Sequence, residues 1–145
     1  MQFTKPSFLE TKIEEKFFVL KSKNDKDKNK FLKKEIDLNF IQFHFVIEGN
    51  TTFSFNNGAY KMDVSNGKYI VLYNPKKNLP VDALIHPKSY VLSVLISIKK
   101  FHKLFSEDSN NIQFLKDKNV NQKYYYENKI SNKIFLVLNE LKRFD

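Results

Sequence analysis

Apolar and polar residues alternate along much of the chain from Phe40 onward. Alternation with a period of two is typical of half-buried β-strands, and clusters rich in Gly, Asn or Pro separate the alternating segments. Alternation predicts strands over residues 40–47, 51–55, 59–64 and 81–85, and nearly continuous apolar runs predict two more over residues 69–73 and 90–96. Short strands in close succession favour a sandwich or barrel, so we expect a mainly β fold.

The first of these strands carries two polar side chains, Gln42 and His44, on one face. The opposite face is apolar, with Ile41, Phe43, Phe45 and Ile47. If the polar face lines the interior, both side chains can orient a polar ligand. If it points outward, neither matters, and the sequence leaves both arrangements open.

Two tyrosines pose the same question. Tyr60 and Tyr73 each combine an aromatic ring with a polar tip, which suits a pocket wall and equally suits ordinary core packing. Our hypothesis for the ligand-binding residues is therefore Gln42, His44, Tyr60 and Tyr73.

The segment before Phe40 is less regular. Residues 12–20 end in a short apolar run, whereas residues 22–30 are almost wholly charged or polar. A run of that composition cannot bury itself, so we predict a mobile surface loop over residues 22–30.

After residue 96 the period changes to that of a helix. Ser97 is placed to cap a helix over residues 98–105, and Ser131 to open a second one. Residues 134–138 of the second helix are apolar all round, so this part needs two covering surfaces, the β-structure and something else. We assign the subunit contact to its residues Ile134, Val137, Leu138 and Leu141. No capping residue follows before Asp145, so we expect the chain to be part of a longer architecture.

Composition narrows the class of protein. A chain of 145 residues with 41% hydrophobic residues is expected to form one domain. The absence of Cys excludes disulfides and thiolate chemistry, and we find no signal peptide or membrane-spanning run, so we expect a cytoplasmic protein. The net charge of +9 comes almost wholly from scattered lysines, with Arg143 the single arginine. Direct nucleic-acid binding through these lysines stays a secondary hypothesis.

Several segments resemble the N-terminal regulatory domain of AraC-family transcription regulators, most closely those of flavobacteria-like bacteria. The resemblance covers roughly residues 8–145 and is carried by Ile41-Gln42-Phe43-His44-Phe45 with Gly49, Phe53-Ser54-Phe55-Asn56, Val71-Leu72-Tyr73-Asn74-Pro75, Leu79-Pro80, residues 92–98, Phe101-His102-Lys103-Leu104-Phe105, Tyr124-Tyr125-Tyr126 and Ile130-Ser131.

This resemblance implies a cupin-like, jelly-roll β-barrel over about residues 1–96 and a helical part over 97–145 with two α-helices. It implies a non-enzymatic domain that senses a small-molecule effector and forms a homodimer through its C-terminal helix. In such regulators an attached helix-turn-helix domain binds DNA, and we expect that domain to be absent from these 145 residues. No cofactor is expected.

A cupin-like fold also raises the possibility of a metal enzyme. The first cupin metal motif has the form His-x-His-x3-Glu, and here Gln42, His44 and Glu48 occupy those places. A later ligand would have to be His86, which precedes a proline. The set is incomplete, so we predict neither a metal site nor catalytic residues. The alternative function is a small isomerase or dioxygenase with a degenerate metal site.

Overall fold

The computed structural model describes residues 8–55, 58–104 and 124–130. In chain order the elements are β1 (Leu9–Glu14), β2 (Phe17–Asn24), β3 (Lys30–Lys34), β4 (Phe40–Glu48), β5 (Asn50–Phe55), β6 (Tyr60–Ser65), β7 (Lys68–Tyr73), β8 (Val81–Ile85), β9 (Ser89–Ser97), α1 (Ile98–Leu104) and β10 (Tyr124–Lys129). Within these ranges, no helix is long and apolar enough to cross a membrane.

The strands form two antiparallel sheets. One has six strands in the order β1-β2-β9-β4-β7-β10, and the other has four in the order β3-β8-β5-β6. The chain passes back and forth between the sheets, so strands that are consecutive in sequence often lie in different sheets. This mainly β architecture is the one that the alternating pattern predicts.

The space between the sheets holds the main apolar core. Both sheets contribute side chains to one buried cluster, which includes Leu20, Leu32, Val46, Phe53, Val64, Ile70, Leu72, Ile85, Val91 and Leu95. The outer face of the six-stranded sheet is also apolar. Two further clusters lie there, one around Ile41 and Phe101 and one around Leu92 and Ile130. The central strands β9, β4 and β7 of the six-stranded sheet are therefore buried on both faces, as expected for strands with nearly continuous apolar runs.

The six strands predicted from Phe40 onward are confirmed, with ends that differ by at most one residue. The loop prediction over residues 22–30 is wrong for its first part. There β2 runs through Asn24, and Ser22 and Asn24 are both buried. The side-chain amide of Asn24 is satisfied, because it donates to the carbonyl groups of the nearby Lys28 and of Ile85 and His86, which are distant in the sequence.

The expectation of a closed barrel is also corrected. Among the described strands the two sheets pack face to face, and none pairs across from one sheet to the other. Two edge strands give a physical reason, since β1 is exposed at nearly every position and β6 carries Lys61 and Asp63. Charged edges of this kind disfavour further pairing.

The first predicted helix is confirmed. It spans Ile98–Leu104, and the Ser97 hydroxyl caps it by accepting a hydrogen bond from the Lys100 amide at 3.1 Å. Phe101 packs from this helix onto the outer face of the six-stranded sheet. The second predicted helix, with Ile134, Val137, Leu138 and Leu141, lies outside the described residues. Strand β10 falls within the part that was expected to be helical.

The turn from β4 into β5 brings two backbones close together at Gly49. Its φ of 71° is in the left-handed region, and a Cβ at this position would lie 2.1 Å from Ser89 Oγ and 2.8 Å from Ser89 Cα. The approach is fixed by a hydrogen bond from the Asn50 amide to Ser89 Oγ at 2.9 Å. Only glycine meets both requirements.

We predict that Gly49→Ala lowers the free energy of unfolding by about 1–3 kcal/mol, measured by urea denaturation. Gly58→Ala is the matched control, since Gly58 also has a positive φ of 87° but no atom within 4 Å of its added Cβ. The Gly49 variant should be the less stable of the two. Equal losses would show that the close approach to Ser89 contributes nothing.

Candidate functional site

A polar pair lies inside the apolar core, on the inner face of β4. Gln42 and His44 are 1% and 0% exposed, between Phe40 and Val46 of the main core cluster. The His44 ring packs against Phe53 of the opposite sheet, with ring centroids 4.9 Å apart. The question that the sequence left open is thereby answered, because the Gln42/His44 face points into the space between the sheets.

A chain of hydrogen bonds links this pair to two other segments. His44 Nδ1 lies 2.6 Å from Ser93 Oγ on β9, and His44 Nε2 lies 2.9 Å from Gln42 Oε1. The side-chain amide of Gln42 donates to the carbonyl oxygen of Leu79, in the connection between β7 and β8. The four groups form one continuous network across the core.

The acceptors in this network fix its direction. Gln42 Oε1 can only accept, so His44 Nε2 must carry the proton that it donates. In a neutral ring Nδ1 then has a lone pair, and it accepts the hydroxyl proton of Ser93. The hydrogen bonds therefore all run in one direction: Ser93 donates to His44, His44 donates to Gln42, and Gln42 donates to the carbonyl of Leu79.

Burial keeps this imidazole uncharged. Desolvation lowers the pKa of His44 from 6.5 to about 3, because a charged ring in the apolar core would lose its hydration. The neutral form fits the hydrogen-bond network, in which Nε2 donates to Gln42 and Nδ1 accepts from Ser93. His44 thus serves as a neutral polar group, with one donor and one acceptor position in use.

Gln42 retains an unused donor. Its side-chain amide has two N–H groups, and the carbonyl of Leu79 accepts one of them. Across the described residues no acceptor is found for the second. A buried amide with one donor available is suited to bind an acceptor oxygen of a small molecule.

The two tyrosines predicted to join the site lie elsewhere. Tyr73 is 1% exposed but pairs with Ile41, so it lies on the outer face of the sheet in the cluster with Phe101. Tyr60 is 67% exposed, at the start of β6 opposite Phe55. The structure brings Gln42 and His44 together and places neither tyrosine beside them.

The candidate metal ligands are not assembled either. Glu48 is exposed at the end of β4, and His86 lies beyond β8, where its Nε2 is 2.9 Å from Thr52 Oγ1. Within the described ranges no three His, Asp or Glu side chains are grouped so that they could hold a metal ion. The single lone pair of the His44 ring is already bonded to Ser93.

Sequence reasoning missed Ser93 and Leu79. A polar residue inside the apolar strand 90–96 was the available signal for Ser93, whereas a backbone carbonyl such as that of Leu79 leaves none. It also missed Lys21, which is 9% exposed and whose Nζ has no hydrogen-bond partner among the described residues. Lys21 pairs with Leu92 of an outer-face cluster, so it lies on the face opposite to Gln42 and His44.

Comparison with known proteins gives a likeness of fold. No family model matches the chain, and no curated protein matches it. Among solved structures, the apo form of a ToxT variant from Vibrio cholerae matches with a TM-score of 0.56 and 13% identity, over 90% of this chain and 48% of that one. ToxT from Vibrio cholerae O395 matches with a TM-score of 0.53 and 11% identity, over 88% and 45%.

The chain has the fold of the matched portion of ToxT, which is slightly less than half of that protein. A third match is ToxT of Vibrio cholerae O395 bound to (E)-4-(8-methylnaphthalen-1-yl)but-3-enoic acid, with a TM-score of 0.51 and 14% identity, over 93% of this chain and 47% of that one. ToxT is an AraC-family regulator, so the resemblance predicted from the sequence is confirmed at the level of the fold. The chain spans about half the length of the ToxT chains that it matches.

We predict a pH dependence of stability that originates at His44. Its folded-state pKa of about 3 is below the unfolded value of 6.5, so the unfolded chain binds the proton first as the pH falls. The contribution of His44 to stability is complete above pH 6.5 and is lost toward pH 3. The free energy of unfolding should fall by up to about 1.4 kcal/mol per pH unit in this window.

The measurement is urea denaturation at several pH values between 7 and 5, a range in which the titration of carboxylates contributes least to the pH dependence. His44→Gln should be less stable at neutral pH and should have a shallower pH slope than the parent chain. His86→Gln, which removes an imidazole outside the core, serves as the control. An unchanged slope in His44→Gln would contradict a buried neutral ring.

Proposed function

We propose that this chain is the effector-binding and dimerising domain of an AraC-type transcription regulator. In this proposal a small molecule binds between the two sheets, beside Gln42 and His44, and alters how the C-terminal part of the domain is held. DNA is bound by an attached helix-turn-helix domain. The domain itself catalyses no reaction.

The buried polar network is the observation that supports effector binding most directly. An apolar core gains no stability from an amide, an imidazole and a hydroxyl that it must fully satisfy, since comparable apolar side chains would pack without that requirement. Here the network is oriented and neutral, and among the described residues one Gln42 N–H has no acceptor. These properties are those of a recognition group inside a mostly apolar pocket.

The same geometry indicates the chemistry of the ligand. Gln42 offers a donor and the surroundings are apolar, with Phe53 and Val46 among the neighbours. A molecule with one acceptor group, such as a carboxylate or carbonyl, and an apolar body fits this arrangement. The carboxylic acid bound to ToxT, with its naphthyl body, belongs to the same chemical class.

The link to regulation follows from the position of the network. Ser93 lies on β9, which continues directly through Ser97 into α1. The strand whose serine is hydrogen-bonded to His44 therefore leads into the C-terminal part. A ligand that binds one arrangement of these elements better than another shifts the population toward it. We propose that this shift is transmitted to the DNA-binding domains of a homodimer.

The enzyme alternative receives no support from a specific observation. His44 accepts a hydrogen bond from Ser93 with its only lone pair. Glu48 is exposed at the end of β4, and the His86 ring lies 2.9 Å from Thr52 Oγ1, so among the described residues neither is grouped with His44 as a metal ligand. A metal would have to break the network before it could bind. We therefore propose a sensor and not an isomerase or dioxygenase.

Ligand binding is tested by thermal unfolding of the chain with a panel of apolar carboxylic acids, including the naphthyl butenoic acid above. We expect at least one saturable rise in Tm. Gln42→Leu should raise the Kd of that ligand by about tenfold, because one hydrogen bond to a charged group is lost. Tyr60→Phe is the control and should bind as the parent chain does. A panel without binders, combined with a rise in Tm on adding iron or manganese, would favour the enzyme.

Dimerisation is tested by sedimentation of the chain. Leu138→Glu should give monomers if the predicted helix forms the subunit contact, because a buried carboxylate without a partner opposes association. Asn139→Glu adds the same charge at a position off the predicted apolar face and should leave the dimer intact. A dimer that persists in Leu138→Glu would remove this assignment.

A further inference from the structure

A basic cleft lies outside the space between the sheets. It opens between the β1–β2 turn and the start of α1, has a volume of about 300 Å³, and is lined by Glu15, Lys16, Ser97, Lys99, Lys100 and Lys103. None of these residues belongs to the network around His44. The cleft is therefore a separate place on the molecule.

The cleft is strongly positive. Four lysines and one glutamate line it, and the adjacent ion pairs bring in Lys12, 2.9 Å from Glu15, and Glu14, 3.4 Å from Lys100. Five lysines thus face two glutamates, which leaves a net charge of +3. The two carboxylates are already paired, and the remaining ammonium groups repel one another in a shared concave site.

The walls of the cleft are held in place by backbone contacts. The amide of Ser97 donates to the carbonyl of Lys16 at 3.0 Å, which ties the β1–β2 turn to the end of β9. Lys16 has a φ of 61°, and the Ser97 hydroxyl caps the amide of Lys100. Lysines from two segments therefore line one cleft whose backbone walls are joined by a hydrogen bond, and preorganisation of this kind favours binding.

Neighbouring lysines affect the ionisation of Glu15, the one glutamate among the residues that line the cleft. The pKa of Glu15 is lowered, chiefly by the hydrogen bond and charge of Lys12, with smaller contributions from Lys16 and Lys100. The carboxylate stays ionised and offsets part of the positive charge. It does not neutralise the cleft.

From this arrangement we propose that the cleft is a second ligand site, which binds a compact multivalent anion. Ammonium groups bind phosphate and carboxylate oxygens as point charges, and several are needed for one small anion. The volume is at the lower end of the range for small-molecule sites, about 300–1,000 Å³. A nucleic-acid backbone would need an extended basic surface, whereas the lysines of this cleft come from two short segments around a volume of about 300 Å³.

An anion in this site would bridge the β1–β2 turn and α1. Lys16 would hold it from one side, and Lys99, Lys100 and Lys103 from the other. Because α1 directly follows β9, the bound anion would stabilise one position of the helix relative to the sheet. The site would thus respond to a charged metabolite independently of any apolar ligand between the sheets.

The test is calorimetric titration of the chain with inorganic pyrophosphate and, separately, with citrate, at constant ionic strength set by chloride. We expect saturable binding of at least one of them, and the stronger binder identifies phosphoryl or carboxylate groups as the preferred chemistry. The double variant Lys16→Gln/Lys103→Gln should raise the Kd by about tenfold or more.

The control is Lys76→Gln/Lys77→Gln, which removes the same charge from exposed positions between β7 and β8. Its Kd should stay within about twofold of the parent value, since distant surface charges are screened. Equal weakening in both double variants, or no saturable binding of either anion, would overturn the proposal. So would displacement of pyrophosphate by a short DNA duplex through the same lysines.

Discussion

The cost of placing polar groups in an apolar interior constrains this structure more than any other factor. Gln42, His44 and Ser93 lie between two sheets whose facing side chains are mostly apolar, with Ser22 and Thr51 as further buried polar residues. Each unsatisfied group there would cost about 1–3 kcal/mol, so the hydrogen bonds of these three side chains favour the observed arrangement, and burial keeps the imidazole neutral. These requirements determine the rotamers, the ring tautomer and the register of β4 against β9.

The register has consequences for both faces of the six-stranded sheet. With His44 opposite Ser93, the neighbouring residues Ile41 and Phe43 point to the outer face, where Tyr73 and Phe101 complete a second core. A slip of one residue would exchange these faces and bury the polar groups against α1. One network thus specifies the inner surface and, through the two-residue period of the strand, the surface on which the helix packs.

Strands with an alternating or continuous apolar pattern could be predicted from the sequence, and the edge strands β1 and β3 could not. β3 has only Leu32 fully buried, and β1 is largely exposed, so neither carries an apolar pattern of its own. Their positions are set by the strands beside them. Asn24 was missed for a related reason, since its burial depends on carbonyl groups that distant segments supply.

The pair Gln42 and His44 could be predicted because two residues at a spacing of two share one face of a strand, which is a local property of the sequence. Its partner Ser93 and the true position of Tyr73 depend on cross-strand pairing, which no single strand encodes.

The direction of the hydrogen bonds is the central claim, and the ring nitrogens of His44 report it. Long-range proton–nitrogen NMR correlation on the uniformly labelled chain at neutral pH distinguishes the two neutral tautomers from the charged ring, and comparison with His44→Gln assigns the signals. The structure predicts a ring protonated at Nε2, with Nδ1 accepting from Ser93. A ring protonated at Nδ1, or at both nitrogens, would contradict the network and the ligand site built on it.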